Sequence, residues 1–584
     1  MDSQPQRGRR RAAIACHYCR RRKRRCDGAQ PTCSLCQSAN KHCSYPAVTV
    51  LADDPPISDR LAQLESVLAD HTRTLQALRE HVHTPSQTEA ETIRPVRNAE
   101  AEIPAVMPPP GIDAPTPVDY LAPMTIPIGH ATTTGNLLQA RPVKALIGDY
   151  PSDIFLRIEQ KRPGPAELSL AVQPGVAALP TVDPASVTTL VEHYFQFAHP
   201  QHPILQRDEI EMMVGSLDSQ MSDWSTEWAL LLMILAVAQT HRDLSFAAGD
   251  DLPGIEYLQP GVQYLLRTWA DACATDVLLS QAFFLAALYY ASLCRPLQAW
   301  RLAHMASTNI QHAFFQQPDQ HNESLLRTCW ALFLLECDLV AEYHLPRSGI
   351  ENLVDQLPYP DCAMAEVYES SWLAIISSRK LLNRIHCTMY ATHSFVWDSQ
   401  PTHDLPPPVP RPLLALSGEL SYQLQAWWDL VPESLKPELN KEDLTSEEGI
   451  LLLRFHACGD IITRPFLHHV CSYPDKMQPP SDILDLARAC IENCRAFIHR
   501  VPSKLGSRHP LAVVYLHSTL AAIINLALAS HCCWLWDDVS DIDVLEEQAV
   551  FILERWAELS PSAEAMLRLV VALRDKGRTV RMMR

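Results

Sequence analysis

Six cysteines between Cys16 and Cys43 repeat one spacing twice: Cys16, Cys19 and Cys26, then Cys33, Cys36 and Cys43, each triplet reading CxxCx6C. Zinc in a structural site takes four ligands in a tetrahedron, and thiolate is its preferred soft donor. Two tetrahedra need eight ligand positions, so six thiolates serve two ions only if two sulfurs bridge them. The internal symmetry assigns those bridges to Cys16 and Cys33, which open the triplets. Residues 9–46 hold few large apolar side chains, and metal must therefore replace a core in so short a segment. Paired mononuclear sites using His17 or His42 are disfavoured, because neither stands at the usual histidine-ligand spacing.

All six residues between Cys19 and Cys26 are basic: Arg20, Arg21, Arg22, Lys23, Arg24 and Arg25. Such a run needs a polyanion. Residues 1–46 hold eleven Lys and Arg against two Asp and Glu, a formal +9, so the chain total of −18 leaves −27 for the rest. Counting six thiolates and two zinc ions, the segment falls to about +7 and stays strongly cationic. The acidic remainder repels DNA, which leaves the N-terminal segment as the nucleic-acid surface. Two basic clusters, Arg7–Arg11 and Arg20–Arg25, also suit a nuclear import receptor.

The order CxxCx6C, basic run, Asp27, Pro31, second CxxCx6C resembles the fungal Zn2Cys6 binuclear cluster family, typified by the yeast galactose regulator. The resemblance implies two Zn2+ ions held by Cys16, Cys19, Cys26, Cys33, Cys36 and Cys43, with double-stranded DNA as partner. It also implies that Lys23, three residues before Cys26, reads the guanines of a CGG triplet from the major groove. Lysine or arginine donating to guanine O6 and N7 is chemically apt for that task. Arg20, Arg22 and Arg25 are then expected on phosphates, with a neighbouring arginine able to share the base contact.

After a proline-bearing linker, Leu61, Leu64, Leu68, His71, Leu75, Leu78 and Val82 recur at alternating spacings of three and four. This is an a/d seam of about three heptads, spanning about 33 Å as helix. The flanks offer no core to receive the leucines, so a parallel homodimer is expected, weakened by His71. Ten prolines between Pro85 and Pro127 then argue for an extended, disordered spacer. From about residue 186, long apolar stretches at helical period broken by proline predict an all-α domain.

That large region is similar to the fungal-specific transcription factor domain that commonly follows the cluster. The likeness rests on His193TyrPhe through HisProGlnHisProIleLeu205, Gln281AlaPhePheLeuAlaAlaLeuTyrTyr with Ala299TrpArgLeuAla303, Cys329TrpAlaLeuPheLeuLeuGluCysAsp338, His344LeuProArgSerGlyIle350 and Arg464ProPheLeu467, in that order. The expected fold class is mainly α: a small Zn2Cys6 cluster, a short coiled coil, a disordered proline-rich linker and a large all-α regulatory domain. The expected divisions are a basic arm at 1–15, cluster at 16–46, linker at 47–60, coiled coil at 61–83, spacer at 84–142, docking segment at 143–185 and regulatory domain at 186–584.

An enzyme is not expected. His241ArgAspLeu244 echoes a kinase catalytic loop, but no AspPheGly and no GxGxxG loop accompany it, and Ala248 stands where the loop asparagine belongs. His193, His199, His202, His468 and His469 are read as core or capping residues for want of partners at ligand spacing. Cys490 and Cys494 read as small buried side chains on one helix. Trp534–Glu547 has the acidic and aromatic composition of an activation segment, or else is a loop running into a helix started by Asp541 and Asp543. The longest apolar run, Trp228–Ala238, is too short to cross a bilayer, and twelve further scattered cysteines fit a reducing compartment.

The functional expectation is a zinc-dependent, dimeric, sequence-specific regulator of RNA polymerase II transcription in the nucleus, an activator rather than a repressor. It would work with transcription co-regulators and serve a secondary-metabolite, nutrient or stress gene set. The alternative is an effector-sensing interaction protein, whose helical domain binds a small-molecule effector or co-regulator and whose cluster only tethers it weakly to DNA.

Overall fold

The computed structural model describes residues 19, 26, 32–39, 41 and 43 near the N-terminus. It also describes residues 126–583, apart from short stretches of which the longest are 172–179, 216–222, 243–251, 391–407 and 437–445. The chain divides into two units, residues 1–60 and 61–584. Among the described residues every regular element is helical.

The helices of the second unit start and stop where local chemistry dictates. Asp183 accepts from the Ser186 N–H, Asp276 from that of Leu278 and Asn322 from that of Ser324, each at 2.9 Å. These caps satisfy amides that a helix start leaves orphaned. Val277–Ser292 is largely apolar on all sides and buried from Leu279 onward, so neighbours surround it. Ala512–His531 is long and apolar enough to span a bilayer, yet it lies buried against the helices Glu323–Tyr343, Ser446–Val470, Ser481–Arg500, Ile542–Ala557 and Pro561–Met583.

The short motifs of the large region turn out to be stitches between helices. Gln281 donates to the Ile204 carbonyl at 2.8 Å, and Trp300 to the Pro346 carbonyl at 2.9 Å. Pro465 sits inside Ser446–Val470 and lacks the N–H that would bond the Ile461 carbonyl. The Tyr390 hydroxyl donates to that carbonyl instead, at 2.5 Å. In the segment His344–Ile350 the chain reverses through His344 at φ 50° and Gly349 at φ 90°, and Glu336 accepts from the Ser348 N–H at 2.8 Å. A side chain at Gly349 would strain that turn.

The spacer expected over 84–142 is too long at its C-terminal end. Residues 130–142, with Ile126 and Pro127, belong to the helical body: Ile126, Leu137 and Leu138 are buried there. Thr134 donates through its N–H and its hydroxyl to Glu342, at 3.2 and 3.1 Å. A Cβ on Gly135 would fall 1.9 Å from the Ser152 carbonyl oxygen, so only glycine passes there. Proline density suggested extension, but long-range hydrogen bonds hold this strap. The segment expected to dock, 143–185, forms helices Arg141–Ile147 and Ile154–Lys161, with Lys576 on the Leu146 carbonyl and Ser562 on Glu159, both at 2.6 Å.

Burial sets an acid limit on this body. It pushes His130, His199 and His517 down to about 3, and His202 and His468 to about 4. These neutral histidines contribute stability that is fully present above their unfolded value near 6.5 and is lost as pH falls toward those values. Glu336 and Glu342 oppose them, because burial pushes both up to about 7, so their contribution is present below pH about 4.5 and lost through neutrality. The histidines outnumber the glutamates, and the thermal midpoint of the helical signal is expected to drop between pH 7 and pH 5. A flat profile would contradict this assignment of charge states.

Candidate metal centre

The first unit is built around sulfur. Cys19, Cys33 and Cys36 are fully buried, with Cys26, Leu35 and Cys43 packed on them. Cys33 caps the five-residue helix Ser34–Ser38, and its carbonyl accepts from the Gln37 N–H at 3.0 Å. That turn places Cys36 three residues on beside Cys33. Chain return is fixed by the Lys41 N–H on the Cys36 carbonyl at 3.0 Å and by the Cys33 N–H donating to Cys43 Sγ at 3.4 Å. A backbone N–H on a sulfur is the kind of outer contact that orients a metal ligand.

The sulfurs of Cys19, Cys26 and Cys33 lie within 4.8 Å of one another, and so do those of Cys33, Cys36 and Cys43. Cys33 is common to both groups. Cys19 Sγ and Cys33 Sγ are 3.7 Å apart, far beyond a disulfide bond. That distance is the edge of a tetrahedron with metal–sulfur bonds of about 2.3 Å. Two three-sulfur groups sharing one corner suit two tetrahedral ions with Cys33 between them. Cys16, the other expected bridge, lies outside the described residues, as do Arg20, Arg22, Lys23 and Arg25 and the whole seam Leu61, Leu64, Leu68, Leu75, Leu78 and Val82.

Among the described residues, none of the five histidines singled out in the sequence joins a group of three ligating atoms. His193 lies against Phe197 and His202 against Phe284, while His468 bonds Asn525 at 3.0 Å. His199 lies against Phe195 and His469 against Tyr473. The acidic stretch Trp534–Glu547 is folded: a 3-10 turn Trp536–Val539 runs into helix Ile542–Ala557, with Leu535 and Val539 buried. Its Asp541 accepts from Arg495 at 2.8 Å, and its Asp538 from Arg488 at 3.2 Å.

Sequence reasoning missed two buried polar clusters of the second unit. Asp338 accepts from Arg379 at 2.8 Å and from Arg454 at 3.0 and 3.3 Å. Burial alone would push its carboxyl up, but Arg454 and Arg379 overcome that and hold it below the usual range. Asp460 is paired with Arg464 and receives Asn525, Cys490 and Cys494 on its other oxygen. Only Cys490 and Cys494, four apart on one helix, carried a local signal.

Residues 14–49 match the fungal Zn(2)-Cys(6) binuclear cluster domain. The Aspergillus rugulosus protein ecdB, provisionally named a transcription factor, is 22% identical over 451 residues, which are 73% of this chain and 72% of that protein. The transcription regulator galc of Aspergillus niger is 23% identical over 381 residues, 57% of this chain and 45% of that protein. The lactose regulatory protein LAC9 of Kluyveromyces lactis is 24% identical over 210 residues, 33% of this chain and 23% of that protein. No solved structure is significantly similar to the chain.

Proposed function

We propose that this chain, which carries a fungal Zn2Cys6 binuclear cluster domain at residues 14–49 with two zinc ions as its cofactor, is a sequence-specific DNA-binding regulator of RNA polymerase II transcription. The observation that carries the reading is the pair of cysteine triplets meeting at Cys33, with six basic residues strung between Cys19 and Cys26. The names of the relatives, which are those of transcription factors and regulators and not of enzymes, support the same class. We place the protein in the nucleus as an activator. It acts as a homodimer through Leu61–Val82, brought there by an import receptor reading Arg7–Arg11 or Arg20–Arg25. Zinc held by the cysteines would supply structural chemistry, tying together the segment that carries the basic run. The chain's own residues then do the recognition, Lys23 donating to guanine edges of a CGG triplet and Arg20, Arg22 and Arg25 to phosphates.

Lys23→Ala is therefore expected to cost about 1–3 kcal/mol on the true site and to relax selectivity. Arg20→Ala is expected to weaken all sequences alike and to lower the salt slope by about one unit. Titrations of the full chain on specific and random duplex at several salt concentrations separate the two. Equal loss of selectivity from both changes would contradict the division. Competition by random duplex as effective as competition by the true site would favour the effector-sensing alternative.

A further inference from the structure

We propose that the helical body holds a second metal site, apart from the cysteine cluster, in which Asp460, Cys490 and Cys494 bind one thiophilic divalent cation of the zinc class. The three side chains are buried and their ligating atoms lie within 4.8 Å of one another. Cys490 and Cys494 stand one turn apart on Ser481–Arg500, and Asp460 faces them from Ser446–Val470. Each sulfur is 3.4 Å from Asp460 Oδ1. A tetrahedral zinc with bonds of about 2.3 Å to sulfur and about 2.0 Å to oxygen has a sulfur–oxygen edge of about 3.5 Å. Both sulfur–oxygen edges are thus already spaced for the ion.

The surroundings fit a cation. Arg464 pairs with Oδ2 of Asp460 and touches Oδ1 only through a long Nε contact of 3.5 Å, while both sulfurs face Oδ1. Asn525 Nδ2 donates to Oδ1 at 2.9 Å and approaches Cys494 Sγ at 3.8 Å. The amide is held in that sense because His468, kept neutral by burial, bonds its oxygen at 3.0 Å. Such outer partners are what orient metal ligands. Charge balance closes as well. Asp460, Arg464 and two thiols sum to zero, and so do Asp460, Arg464, two thiolates and a divalent cation, the two thiol protons leaving to solvent. Occupation therefore adds no net charge to the core, where an unpaired ion is costly. Asp460 and Cys494 also line a cavity of about 40 Å³, which is large enough for a solvent molecule as fourth ligand.

The test uses the full chain with the N-terminal cluster removed by replacing all six of its cysteines, Cys16, Cys19, Cys26, Cys33, Cys36 and Cys43, with serine, so that its outcome is independent of how many ions the cluster holds. After equilibration with Zn2+ and removal of loose metal, mass spectrometry under native conditions is expected to find one zinc per chain. Adding Cys490→Ser and Cys494→Ser is expected to reduce that to none. Replacement by Co2+ is expected to give thiolate-to-cobalt absorption in the near ultraviolet from the cluster-free chain. This last measurement needs no change at the triad and stands even if the serine variants fold poorly. Absence of both zinc and the cobalt band from the cluster-free chain would overturn the proposal, as would a zinc that survives the loss of both cysteines.

Discussion

Replacing Cys33 by serine is expected to release both zinc ions of the N-terminal cluster, whereas Cys19→Ser loosens mainly one. Cys33 Sγ belongs to both three-sulfur groups, while Cys19 belongs to a single group. A serine hydroxyl is a hard, neutral donor and cannot bridge two zinc ions as a thiolate does. With three buried cysteines as its core, the segment has little else to fold around. Structural zinc in comparable small modules is worth about 10–16 kcal/mol of folding free energy, so losing both ions removes the fold and not merely some affinity. Specific DNA binding by the full chain should vanish with Cys33→Ser and be weakened, but measurable, with Cys19→Ser at saturating zinc. Metal content by mass spectrometry alongside DNA titration checks this. Equal metal loss from the two variants would place the bridge elsewhere.

What the sequence made legible is what lies close along the chain. The cysteine triplets could be read because their ligands fall within 28 residues and spacing alone encodes the turn. Helical character of the large region was equally plain, since apolar periodicity is local. The strap from Ile126 to Leu138 was misjudged because its composition speaks for extension, while its anchors are remote: Thr134 meets Glu342 across 208 residues. The Asp460 cluster was half visible. Cys490 and Cys494 show their helical spacing, but the carboxylate that gives them chemistry comes from another helix 30 residues away. Trp534–Glu547 shows the converse risk, a composition that suggests an exposed acidic segment in a stretch whose Leu535, Val539 and Ile542 are core. Composition reports what a segment could do alone; packing decides whether it is alone.

The other buried cluster, around Asp338, carries the largest expected effect on the helical body. Asp338 joins three helices, Glu323–Tyr343, Val367–Met389 and Ser446–Val470, by accepting from Arg379 and Arg454 across 41 and 116 residues. All three side chains are at most 8% exposed. Asp338→Ala leaves two guanidinium groups buried without their carboxylate. Removing one partner of a buried pair costs about 3–5 kcal/mol, chiefly because the other charge is stranded. The loss is therefore expected to exceed what the missing contacts alone would suggest, and to be relieved by removing a stranded cation. Arg454→Met in the Asp338→Ala background is expected to recover part of the stability, though the same change in the native background destabilises. Denaturant unfolding of the four chains of this cycle, followed by helical signal, measures the coupling. Additive losses would mean that water reaches the pair and that its charges never depended on each other. The sign of that coupling also bears on pH. Asp338, its pKa held low by the two arginines, contributes stability that is present above about pH 4 and fades only below it. Loss of structure between pH 7 and pH 5 must then come from the buried histidines, and Asp338→Ala should lower the whole stability profile over that range without changing its slope.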